Sequence, residues 1–209
     1  AKSMVTTGNS LGMEVTAQVT EMDNPIGRMY GNSHEIVECI QCLKGDGPTD
    51  TMELVFAQAS ALGYGIQGSI NDGTALNEFK EMCIRQGVDI EVISQLIDEP
   101  WSVLDRAPMS IDIIARNSGY ISQINALTIG EVLCKLGAGR TGENPDIDHG
   151  VGAELLVEIG DEIIAGEAWI RFDTRKEMSA EMVETIQNSL SLSETKPIES
   201  SRILEIIEK

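Results

Sequence analysis

The hydrophobic period changes once along this chain, and that change constrains its fold more than any other feature. From Asn32 to Ile97 apolar residues recur at the three-to-four spacing that lines one face of a helix. Beyond Pro108 most fall into short, glycine-bounded runs with a period of two, the mark of strands. The break lies between Asp98-Glu99-Pro100-Trp101 and Ala107-Pro108. The expectation is a region of α/β character over 1–100, then a region of α+β character over 101–209. Pro100 and Pro108 frame the join, which reads as a hinge that lets the two regions move relative to each other.

Ahead of the helices, Ala1 to Thr7 reads as the end of a helix closed by Gly8-Asn9. Met13, Val15, Ala17 and Val19 then alternate with polar residues and predict a half-buried strand. Its sheet neighbours should lie outside this sequence, and an unpaired strand edge is an aggregation risk. Met22 to Gly27 is a loop. Asn32 with Glu35 has capping-box spacing for a helix whose stripe is Ile36, Ile40 and Leu43 and which ends at Gly45. Asp50 with Glu53 repeats the box before Leu54, Val55, Ala59 and Leu62. Asp72 precedes a helix carrying Leu76, Phe79 and Cys83, and a short one runs from Val92 to Ile97. Past the break, Ser110–Arg116 and Tyr120–Ile124 flank Asn117-Ser118-Gly119, a hairpin-length turn. A helix follows over Thr128–Leu136, strands over Ala153–Ile159 and Glu167–Phe172, a helix over Met178–Leu190, and a last strand over Ile203–Ile207.

Charge narrows the function classes. Asp and Glu number 34 against 15 Lys and Arg, a net charge of −19. Phosphate backbones attract basic footprints, so a nonspecific nucleic-acid binder is excluded. No apolar run reaches the length of a membrane span, and the N-terminus lacks a signal-peptide layout. The four cysteines do not make a disulfide scaffold and read as reduced thiols of a cytoplasmic protein.

Cys39-x-x-Cys42 lies inside a predicted helix, without a second ligand pair for zinc and away from the helix start that would activate a redox thiol. Two packed thiols are the expectation. His34 and His149 are the two histidines, and no Gly-x-Ser-x-Gly elbow accompanies them. His34 reads as a polar neighbour of the turn before its helix. Gly8–Gly12 and Gly137-Ala138-Gly139-Arg140 lack the endings that make phosphate loops specific. Gly160-Asp161-Glu162-Ile163-Ile164-Ala165-Gly166 is typical of biotinyl and lipoyl carrier domains, which points to a hammerhead-like architecture. The turn at Asn117-Ser118-Gly119 has no lysine to acylate, so the carrier function is not expected.

Several segments together resemble the pyrimidine-nucleoside phosphorylases. Thr20-Glu21-Met22-Asp23-Asn24-Pro25-Ile26-Gly27-Arg28-x-x-Gly31-Asn32-x-x-Glu35-Ile36-x-Glu38 is similar to a long motif of that family. Leu43-Lys44-Gly45-Asp46-Gly47-Pro48-x-Asp50 follows at the family's spacing. Leu136-Gly137-Ala138-Gly139-Arg140, Ile147-Asp148-x-x-Val151-Gly152 and Ile159-Gly160-Asp161 match in order. Ser33-His34 stands where the family usually has Ala-Leu. The resemblance implies residues 1–100 as the C-terminal part of the glycosyltransferase α/β domain and 101–209 as the family's hammerhead-like C-terminal domain.

The implied reaction is phosphorolysis of thymidine to thymine and 2-deoxyribose 1-phosphate by a cytoplasmic, homodimeric pentosyltransferase. In the family, a Lys-x-Ser-Thr-Gly-Gly loop, a histidine and an Arg-Ser-Lys set hold phosphate and base. None of them occurs in this sequence, so no catalytic, phosphate-binding or base-binding residue is assigned here and the isolated chain is expected to be inactive. One site carries over by resemblance. A potassium-like ion would be held by the carbonyls of Ile26 and Met29 and the carboxylate of Glu38; a bland reading makes Glu38 an exposed helix residue. No other cofactor is implied. The alternatives are a non-enzymatic paralogue or fragment that binds a partner through the C-terminal region, and a carrier-like domain.

Overall fold

A computed structural model describes residues 1–140, 146–198 and 200–208. Helix α1 (Lys2–Ser10) leads to β1 (Ala17–Thr20), β2 (Met29–Tyr30) and a run of helices: α2 (Asn32–Lys44), α3 (Thr49–Ala61), α4 (Gln67–Asn71), α5 (Thr74–Arg85), α6 (Ile90–Asp98) and α7 (Pro100–Val103). Then come β3 (Met109–Ile114), β4 (Gly119–Ile124), α8 (Ala126–Leu136), β5 (Gly152–Leu155), β6 (Glu162–Ile163) and β7 (Ala168–Thr174). The described chain closes with α9 (Ala180–Gln187), β8 (Leu190–Ser193) and β9 (Ile203–Ile207). The period change is thus real: six helices precede Leu104 without an intervening strand, and strands dominate after it. No described helix is long and apolar enough to cross a membrane.

Among the described residues three antiparallel sheets form, ordered β1-β9, β2-β5-β7-β3 and β6-β4-β8. The core lies in the second region, where the two larger sheets pack with α8 and α9 around Trp169, Ile170, Phe172, Ile113, Ile121, Ile124, Ile163 and Ile186, all buried. Each such side chain contributes about 1.5–3 kcal/mol by leaving water. Strand β7 is covered on both faces and is the centre of the fold. Its Arg171 pairs across the sheet with both carboxylate oxygens of Asp112, at 2.7 and 3.0 Å. Asp89, Asn125 and Ser179 cap α6, α8 and α9 through their side chains, the role these short polar residues serve where backbone N–H groups lack helical partners.

Several expectations are corrected. Asn117-Ser118-Gly119 does not close a hairpin: β3 pairs with β7, while β4 pairs with β6 and β8, so the turn carries the chain between sheets. Ser118 Oγ accepts the Ala165 N–H there, which anchors the corner. The first strand is Ala17–Thr20, shorter than Met13–Val19, and it has a neighbour within the chain, pairing Ala17 with Ile207 and Thr20 with Ile203. Helix α1 continues through Gly8 and Asn9 to Ser10. The buried face of α2 is His34, Val37, Glu38 and Ile40, with Ile36 exposed. Its cap is Gly31, whose N–H donates to Glu35, so only the carboxylate half of the box forms. Asp50 and Glu53 make no reciprocal box; their carboxylates turn to the C-terminal segment. Val55 on α3 and Leu62 just past its end are exposed. The Ala153–Ile159 strand stops at Leu155, and β8 occupies the end of the expected last helix.

Two pairings cross the sequence break. Strand β2 joins the larger sheet of the second region, and β9 returns to β1 in the first.

Candidate functional site

The Thr20–Glu38 segment folds into a turn wrapped around one carboxylate. Glu38 is buried on the inner face of α2, not exposed on a solvated one. The N–H groups of Arg28 and Met29 both donate to its Oε1, at 2.7 and 3.2 Å. That leaves Oε2 outside the pair, against the Cα of Gly27. A Cβ on Gly27 would overlap Oε2, and its φ of +74° is one that L side chains rarely adopt, so both close approach and turn geometry require glycine here. Tyr30 Oη donates to the Gly27 carbonyl at 2.5 Å, which tightens the turn. Burial raises the Glu38 carboxyl above the usual carboxylate range, partly offset by the two amides.

Of the three residues singled out as an ion site, Met29 meets Glu38 through its N–H, and Ile26 lies in the same turn. Ile26 and Met29 ride the turn that covers Glu38. Thr51 Oγ1, buried without a hydrogen-bond partner among the described residues, abuts the same Gly27. A buried carboxyl with a raised pKa thus lies beside an orphaned hydroxyl, both oxygen groups of the kind a hard cation takes as ligands. By contrast, no group of three or more His, Cys, Asp or Glu among the described residues could hold a metal.

The turn is held from outside by Arg202, which nothing in the sequence pattern singled out. Its guanidinium pairs with Glu21, donates to the Pro25 carbonyl at 2.6 Å and reaches Asp50 Oδ2 at 2.9 Å. Its backbone N–H donates to Glu53 Oε2 at 3.1 Å. Asp50 in turn accepts from the Gly27 N–H at 3.2 Å. The second region grips the same turn: Ile124 N–H donates to Asn24 Oδ1 at 2.8 Å, Ala126 N–H to the Asp23 carbonyl and Leu155 N–H to the Arg28 carbonyl. Asn24 and the carbonyls of Asp23 and Arg28 thus join the two regions. Between the turn and α8 lies a cleft of about 460 Å³, floored by Pro25, Ile26, Ile129 and Leu133, with Asn32 and Glu35 at its lining.

His34 is corrected most sharply. It is 2% exposed and its Nε2 lies 2.9 Å from Asp173 Oδ2, itself 1% exposed. Asp173 also accepts from Arg106 Nε at 2.6 Å and Ser110 Oγ at 2.6 Å. Burial pushes the Asp173 carboxyl up, but the donors His34, Arg106 and Ser110 outweigh it and hold it well below the usual carboxylate range. His149 is exposed, and its carbonyl accepts the Ser33 N–H. Cys42 is half-buried and its thiol is pushed up to about 11, mainly by burial, which suits packing and opposes redox chemistry. Cys39, expected to be packed, is exposed.

This architecture, an α+β chain whose long motif wraps a buried carboxylate, coincides with clear relatives. The pyrimidine nucleoside phosphorylase C-terminal domain matches residues 120–193. Thymidine phosphorylase of Homo sapiens is 34% identical over 215 residues, which span 94% of this chain and 45% of that protein. Pyrimidine-nucleoside phosphorylase of Geobacillus stearothermophilus is 31% identical over 217 residues, 98% of this chain and 49% of that protein. That of Bacillus subtilis (strain 168) is 32% identical, over 92% and 46% respectively. The chain is similar to the C-terminal half of the pyrimidine-nucleoside phosphorylases and spans about half the length of the curated relatives it matches.

Proposed function

We propose that this chain is the C-terminal half of a pyrimidine-nucleoside phosphorylase acting on thymidine and orthophosphate. A phosphate oxygen attacks C1′, the C1′–N1 bond breaks, its electron pair passes to the base, and N1 takes up a proton. The products are thymine and 2-deoxyribose 1-phosphate. The observation that carries this reading is the match along more than nine-tenths of the chain to proteins named for that activity. In this reading residues 1–100 complete the glycosyltransferase α/β domain and 101–209 form a hammerhead-like C-terminal domain of a cytoplasmic homodimer.

The groups that grip phosphate and base lie outside these 209 residues. What this chain supplies is position. Arg202, Asp50, Asn24 and Glu38 fix the 20–31 turn, and reaction rates respond steeply to small misplacements of such supports. Ile26, Met29 and Glu38 would hold a potassium-like ion, which contributes charge beside an otherwise unneutralised carboxylate.

Thymidine and uridine phosphorolysis, followed by release of free base, test the reading. The isolated chain is expected to show no turnover above a buffer blank, because loss of even one oxyanion-type donor typically costs ~10²–10³ in rate. Turnover by the pure chain would overturn the assignment of roles. A longer polypeptide that joins this chain to a Lys-x-Ser-Thr-Gly-Gly segment should cleave thymidine; failure on both nucleosides would overturn the enzyme reading.

A further inference from the structure

The 98–108 segment, which reads in sequence as a hinge, is tied to both regions at once. Trp101 meets the edge of the His34 ring with centroids 4.9 Å apart and planes at 70°. The Arg106 guanidinium lies over the same indole at 4.8 Å. His34 Nε2 and Arg106 Nε both reach Asp173 Oδ2, while Ser110 holds Oδ1. A carboxylate can only accept, so Nε2 carries the proton in that contact. The ring is also flanked by Gly152, where a Cβ would fall inside it. Further along, Ala107 N–H donates to the Gly150 carbonyl at 2.9 Å, and Arg175 pairs with both Asp105 and Asp148.

We propose that Asp173 is the catch of a latch, with His34 as the bolt from α2, which locks the 98–108 segment so that the two regions move as one body. The contributions come from three places: α2 supplies His34, the join supplies Trp101 and Arg106, and β7 supplies Asp173. Opening a hinge at the join would pull Arg106 and Trp101 off their partners. It would leave a fully buried carboxylate short of donors, a strongly unfavourable state. Charge-assisted bonds of this length are stronger than neutral ones, and cation–π stacking on Trp101 adds to them. His34 is a positioning residue here; it acts through Asp173 and Trp101. This inference is independent of the reaction proposed above.

The test compares the chain with its His34→Leu and His34→Gln variants. Leu fills similar volume without a donor, whereas the Gln side-chain amide can still donate to Asp173. Hydrogen exchange by mass spectrometry over Glu99–Ala107 is expected to speed up at least ~10-fold in His34→Leu. Peptides of β3 and β7 should stay protected, and His34→Gln should return the join to within ~3-fold of wild type. Brief trypsin treatment should cut His34→Leu first after Arg106, giving fragments 1–106 and 107–209, and leave wild type uncut there. The latch is overturned if the join exchanges alike in Leu and wild type. It is equally overturned if β3 and β7 lose protection in step with it, or if Gln fails to restore it.

Discussion

Single atoms decide most of what happens at the two buried carboxylates. Glu38 has a folded pKa raised by burial, so ionising it costs stability as pH climbs through that value unless a cation neutralises it. Glu38→Gln keeps an oxygen for the Arg28 and Met29 amides and removes the charge. Its melting temperature in a large organic cation should therefore lie close to wild type, within ~1 kcal/mol of stability. A potassium-specific gain at equal ionic strength should appear in wild type only, in the polypeptide that includes the phosphate-loop segment. Loss of the gain in neither protein, or its absence from both, removes Glu38 from the ion site. At Gly152 steric fit decides. Gly152→Ala drives a methyl into the His34 ring and should destabilise the chain by about 1–3 kcal/mol in urea unfolding. His34→Ala should absorb part of that penalty, so the double variant should be less destabilised than the two single effects combined.

At the scale of elements, β9 is held to β1 by four residue pairs and by Arg202 at its leading edge. A two-stranded ribbon is marginal on its own. The clamp of Arg202 on Glu21, Pro25 and Asp50 is therefore expected to decide whether β9 stays down. Arg202→Ala should cost about 1–3 kcal/mol, because it strips the partner from carboxylates that are themselves partly buried. Exchange protection should fall first over Ile203–Ile207 and Ala17–Thr20 and leave the β7 core intact. Arg202→Lys should recover only part of it, since an ammonium cannot present the planar fork that spans three acceptors. Uniform loss of protection across the chain would show that the clamp is not local.

For the whole molecule, the net charge of −19 makes compaction self-repulsive at neutral pH. Adding sodium chloride from 0.02 to about 0.3 M should raise the melting temperature, as screening shortens the Debye length toward ~6 Å. Acid acts in the other direction through specific groups. Asp173, Glu21, Asp112 and Asp148 all have folded pKa values below their ordinary range. Their contributions are complete above the unfolded carboxylate range and disappear as pH falls through the folded values. Urea midpoints should thus decline from pH 5 to pH 3, and the decline should be shallower in Asp173→Asn. An equal slope in that variant would show that Asp173 contributes nothing to acid sensitivity.

Much of this protein was legible in one dimension. Periodicity located α2, α3, α5 and α6 and the change to strands after Pro108, though not the short α4 and α7, because burial of one face imposes its own repeat on the residues that supply it. Glycine marked the ends of α2 and α8, where a left-handed residue is needed. The motif from Thr20 to Glu38 covers the turn that wraps the buried Glu38 carboxylate. Pairing was not legible: strands separated by a hairpin-length turn went to different sheets, and β2 and β9 each crossed the sequence break. Strand periodicity records which face is buried and carries no label for the partner. Arg202, Asp173, Arg106 and Trp101 were silent for the same reason. Each acts only through groups far away in sequence, and the contacts that turn His34 from a turn neighbour into a buried bolt exist only once β7, the join and α2 are packed together.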